Sequence, residues 1–207
     1  MNFKISEWTG NWINFETLIE SEEPALKQVW DEVEKTVSSM KPRSPMFAHG
    51  AKTFWRMACR TQSTLTPVML KGCTITQKEN EVYCQWSDIN GNDLGQYSYQ
   101  IDHIVEHGLE GHSNTLFVAL KAPENWPFRY VLAMDPLPER EARNHGGLIS
   151  HIHFQYSDKM ENLLDEKDRL KNPMSYPTLC DGEGNLLEQC NIVRALHKLP
   201  AWDKLPE

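Results

Sequence analysis

Apolar residues at spacings of three and four mark the first regular element. Leu26, Val29, Trp30, Val33 and Val37 share one face of a helix that Pro24 opens and Lys41-Pro42 ends. A second stripe, Phe47, Phe54, Trp55 and Ala58, predicts a helix near residues 47–61, closed by Leu65-Thr66-Pro67. Trp30 and Trp55 lie on these stripes and read as core anchors. The pattern then changes period. Residues 68–76, 81–86 and 96–101 are rich in β-branched and aromatic side chains, and Asn90-Gly91 between the last two is a hairpin turn, since this pair tolerates positive φ. Residues 116–120, 130–134 and 149–156 continue the run. Six or so strands joined by turn-length connections predict an antiparallel meander, and a meander of this size tends to close into a barrel. Helices return afterwards: Asp158 with Glu161 has the form of a capping box ahead of Met160, Leu163, Leu164 and Lys167, and Asn185 with Glu188 repeats it for a last helix toward His197. No repeat or low-complexity tract divides the chain. The expectation is one unit over residues 1–207, mainly β with flanking helices: a helical part about 1–62, a barrel about 66–156 and C-terminal helices about 158–198.

Composition narrows the function. A formal charge of −8 with no basic block argues against nucleic-acid and anionic-membrane partners, which need concentrated Lys and Arg. No apolar run approaches the roughly 20 residues of a membrane span. The first residues lack the apolar core and cleavage site of a secretory signal, which points to a cytoplasmic protein. Five scattered cysteines, Cys59, Cys73, Cys84, Cys180 and Cys190, form no Cys-x-x-Cys pair and suit reduced, packed thiols. There is no phosphate-cradling loop, dinucleotide fingerprint or Gly-x-Ser-x-Gly elbow.

The candidate chemistry is a metal site. His151-Ile152-His153 puts two imidazoles on one face of a strand, because strand side chains alternate, and neutral imidazole is a good zinc donor. A solvated strand face carrying two polar positions is the plainer alternative. His145 precedes the pair by the Gly146-Gly147 hinge, which can fold its ring over the strand and leave a fourth position for water. Asp135, in the loop upstream, can complete or orient the shell. His103, His107 and His112 form a second group, but the first two lack the spacing of a tight chelate on one strand face. The Gly10-Asn11-Trp12 segment is a Gly-x-Trp of the kind found at the entry of lipocalin-like barrels.

Taken in order, these features resemble the ZinT family, also called YodA, of bacterial zinc- and cadmium-binding proteins. The likeness runs from Ile5-Ser6-Glu7-Trp8-Thr9-Gly10-Asn11-Trp12 through Ser150-His151-Ile152-His153-Phe154 to Met174-Ser175-Tyr176-Pro177. It implies a calycin-like, lipocalin-type antiparallel barrel and a zinc ion held mainly by three histidines near one barrel mouth, with His151 and His153 matching two of them. The family's third histidine follows an Asp, whereas here Asp135 is followed by Pro136, and His145 in the longer loop is the proposed substitute. The function so implied is zinc binding, with cadmium as a related cargo, in metal buffering, transfer or homeostasis, with a metal-accepting protein as partner. Two other readings stay open: a zinc-dependent hydrolase, and a metal-free calycin holding a small apolar ligand.

Overall fold

The computed structural model describes residues 4–40, 47–60, 68–79, 81–173 and 177–206. Eight antiparallel strands close into a barrel in strict chain order. They are β1 (Gly10–Asn14), β2 (Leu70–Lys78), β3 (Glu81–Asp88), β4 (Asp93–Val105), β5 (Asn114–Ala119), β6 (Tyr130–Met134), β7 (His151–Ser157) and β8 (Thr178–Asp181). Every neighbour is a chain neighbour, and β1 closes the ring by pairing Ile13 with Cys180 of β8. Closure removes both sheet edges. The expected Asn90-Gly91 hairpin joins β3 to β4, with Gly91 at φ 83. The barrel is wider in sequence than the expected 66–156, because the short strands β1 and β8 lie outside that range.

Alternation along the strands sorts side chains into two compartments. Inside lie Trp12, Cys73, Cys84, Trp86, Tyr99, Val131, Ala133, Ile152, Phe154, Tyr156 and Leu179. An aromatic stack fills one end: Trp86 and Phe128 lie 4.2 Å apart and nearly parallel, and Tyr99 donates to the Phe128 carbonyl at 2.7 Å while accepting from the Trp86 and Trp126 indoles. At the other end sits α1 (Ile5–Trp8), and the Arg140 guanidinium lies 5.0 Å from the Trp12 ring. The Gly-x-Trp motif thus supplies both a strand and a barrel plug.

Outside, α2 (Phe15–Ile19) packs on β1 and β8, α3 (Pro24–Ser39) and α4 (Ala51–Arg60) pack on α2 and on each other, and α5 (Leu186–Leu196) packs on α3. Their core takes in Leu26, Val29, Trp30, Val33 and Val37, the stripe read from the sequence, together with Trp55, Cys180 and Ile192. Pro24 occupies the first turn of α3, and Asn185 and Glu188 form the expected capping box of α5. His197 closes this core: the Trp55 indole donates to Nε2 at 2.9 Å and Nδ1 meets the Val193 carbonyl at 2.7 Å.

One expected helix is absent. After Asp158 the chain makes only a single 3-10 turn, Met160–Asn162. Ser157 accepts the amide of Lys159, and Asp165 accepts the amides of Lys167 and Arg169, so side chains satisfy donors that a helix would have paired internally. Leu163 and Leu164 still become buried, against Val105, Leu116 and Leu132 on the outer face of the barrel.

Candidate metal centre

The alternation that sends Ile152 and Phe154 into the lumen sends His151 and His153 outward. The two rings do share a face, 5.0 Å between centroids and inclined at 71°. This face is not solvated: His153 is 2% exposed and His151 is mostly covered. Across the strands, His153 is opposite Thr178 and His151 opposite Cys180 of β8. On the other side β6 pairs Ala133 with Phe154, and Asn114 of β5 pairs with Met134.

The cover comes from the connection between β4 and β5. Its 3-10 turn, Leu109–Gly111, is anchored by fully buried Leu109, whose amide donates to Asn114 Oδ1 at 2.7 Å. Gly108 is needed there, since a Cβ would lie 1.7 Å from that same oxygen. The turn holds Glu110 in the left-handed region, at φ 52, an unfavourable conformation for a side chain larger than glycine. Glu110 Oε1 lies 3.8 Å from His153 Nε2.

Burial sets the charge state of both rings. It holds His153 down to about 3, with smaller contributions from the neighbouring His151 and His112 rings. It also lowers His151, against the opposing pull of the Glu110 carboxylate and the Leu137 backbone. Both are therefore neutral imidazoles at physiological pH, the form that donates to a metal. Thr178 Oγ1 sits 2.7 Å from His153 Nδ1 and fixes the plane of that ring. His151 Nδ1 is buried with no hydrogen-bond partner among the described residues. Such an orphaned polar atom is uncommon in a folded interior. Cys180 is no ready donor, because complete burial pushes its thiol well up.

The other expected ligands make no described bond to the pair. His145 is exposed at the end of the 3-10 segment Arg140–His145. That segment is tied elsewhere: Arg140 reaches Glu7, Thr9 and Asp181, and Arg143 reaches Glu183 and Glu188. No hydrogen bond, ion pair or ring contact joins His145 to His151 or His153. Asp135, just beyond β6, is half-buried, which raises its carboxyl, and it too makes no bond to the rings. Glu110 and His112 are the groups that the fold adds. His112 belongs to the second histidine cluster of the sequence, but only the folding of the β4–β5 connection over β7 relates it to the pair. His103 lies elsewhere on β4, 2.7 Å from Asp102 and 3.6 Å from Asp168. Met174-Ser175-Tyr176 lies outside the described residues. Among the described residues no three His, Cys, Asp or Glu side chains are already gathered to hold an ion. No described helix is long and apolar enough to cross a membrane. Comparison with protein-family models, curated proteins and solved structures returned no match to this chain.

Proposed function

We propose that this protein binds a single zinc ion, or the chemically similar cadmium, through His151 and His153, and that it serves metal buffering or transfer to an accepting protein. The observation that carries the reading is the covered face that His151 and His153 share, two neutral imidazoles 5.0 Å apart, with Thr178 orienting one ring and no hydrogen bond to His151 Nδ1 among the described residues. A metal would satisfy that nitrogen within reach of the Glu110 carboxylate, which lies 3.8 Å from His153 Nε2. Glu110 and His112 would complete the shell from the β4–β5 connection, ahead of Asp135 and of His145, whose segment Arg140 and Arg143 tie to Asp181 and Glu188. A zinc ion with two strand-borne histidines and a loop-borne carboxylate has the mixed N/O donor set that zinc accepts. Its release would need only the loop to move, which suits transfer. Five buried free thiols fit a reducing compartment such as the cytoplasm.

Titration calorimetry with zinc on the wild type, His151→Ala, His153→Ala, Glu110→Gln and His145→Ala tests the reading. One ion per chain is expected, with an affinity loss of more than about 100-fold for either strand histidine, exceeding the roughly 10–100-fold typical of an orienting partner. Glu110→Gln should weaken binding and His145→Ala should not. No saturable binding in the wild type, or unchanged binding in His153→Ala, would overturn it.

A further inference from the structure

A bulge in β4 sets up a second group of ligating side chains. Along a regular strand Asp102 and His103 would point to opposite faces. The pairing of β4 with β5 slips between Ile101, opposite Phe117, and His103, opposite Leu116, so Asp102 is the extra residue. The slip lets the Asp102 carboxylate meet His103 Nδ1 at 2.7 Å. A carboxylate accepting from Nδ1–H leaves the lone pair of a neutral imidazole on Nε2, the arrangement that presents a histidine to a metal. His103 Nε2 is covered and has no hydrogen-bond partner among the described residues.

What faces it arrives from the segment after β7. There Leu164 bridges Leu170, and Asp165 accepts the amides of Lys167 and Arg169, so the chain folds into a tight hairpin. Leu163 and Leu164 seat this hairpin on Val105 and on Leu116, the residue opposite His103. At its tip Asp168 takes a left-handed backbone, φ 54, and its Oδ1 stands 3.6 Å from His103 Nε2. A proton does not close that gap, since N–H···O bonds reach only to about 3.2 Å. A metal ion does: two donors about 2.0–2.1 Å from one zinc, at the tetrahedral angle, lie about 3.3–3.4 Å apart.

We propose that His103 Nε2 and Asp168 Oδ1 hold a second divalent cation of the zinc or nickel kind, with Asp102 orienting the ring and water filling the remaining positions. Imidazole beside carboxylate suits these ions, whereas calcium and magnesium favour shells of oxygen alone. The exposed carboxylate of Asp168 leaves the ion open to solvent. With two protein ligands this position is the weaker one, filled at zinc concentrations above those that saturate His151 and His153. It shares no residue with that pair and does not rest on it.

Zinc titration by calorimetry of the full chain carrying His151→Ala and His153→Ala isolates the position. One saturable ion per chain is expected. Adding His103→Ala or Asp168→Asn should weaken it by about tenfold or more, and Asp102→Ala roughly 10–100-fold, with Asp102→Asn restoring most of the loss because it keeps an acceptor for Nδ1. Should the doubly substituted chain fail to fold, the otherwise wild-type chain decides: nickel(II) should broaden the His103 ring-proton NMR signal, identified by its loss in His103→Ala, and much less so in Asp168→Asn. No saturable binding at the isolated position, unchanged affinity in His103→Ala, or equal nickel broadening with and without the Asp168 carboxylate would overturn the assignment.

Discussion

Thr178 shows how a single hydroxyl can orient a candidate metal ligand. It does not face the candidate ion; it fixes one nitrogen of His153 at 2.7 Å and so decides where the other points. Thr178→Val preserves shape but removes that orienting bond. Zinc affinity should drop roughly 10–100-fold in calorimetry, with Thr178→Ser restoring most of it. An unchanged affinity in Thr178→Val would mean that packing alone orients the ring. Burial acts at the same scale. It keeps His153 neutral far below the ordinary histidine range, so zinc does not have to displace a proton from it near neutral pH. The presence of the pair on one face was legible in the sequence, because alternation is a local property of His151-Ile152-His153. Its cover was not. Glu110 and His112 lie about forty residues upstream, and nothing local to them reveals that their loop crosses to β7.

Elements show the same division between local and distant causes. The long strands and the α3 stripe were legible because many consecutive residues repeat one period, and the α5 cap because Asn185 and Glu188 meet within one turn. β1 and β8 were not, being too short to show a period; their pairing with each other closes the ring. The helix expected after Asp158 failed because Ser157 and Asp165 turn their side chains onto the backbone amides instead. Two substitutions test these causes by urea denaturation. Asn185→Ala should cost about 1 kcal/mol, the usual value of a lost N-cap. Gly72→Ala should cost about 1–3 kcal/mol or prevent folding, as overpacking does. At Gly72 a Cβ would sit 2.0 Å from the Trp12 carbonyl oxygen, in the seam where β2 pairs with β1. A neutral Gly72→Ala would show that this seam can shift.

For the whole molecule, neutral histidines in both cores link stability to pH. Burial lowers His151 and His153 on the barrel and His197 in the helical layer below the ordinary value of 6.5. The unfolded chain therefore takes up protons at these rings before the native state does, and stability falls as pH drops below about 6.5. The metal-free protein should need less urea to unfold at pH 5 than at pH 7, and His197→Gln should reduce that difference. A pH-independent midpoint would mean that these rings ionise without cost in the fold. Zinc would add to the acid sensitivity by binding only the neutral rings. The account's central claim is that His151 and His153 hold a metal, and zinc-edge anomalous diffraction from zinc-equilibrated crystals tests it most directly. The predicted result is one strong peak roughly 2.0–2.1 Å from a ring nitrogen of each histidine, with Glu110 drawn toward it. A map with no peak at these rings, or with its only peak at His145, would contradict it.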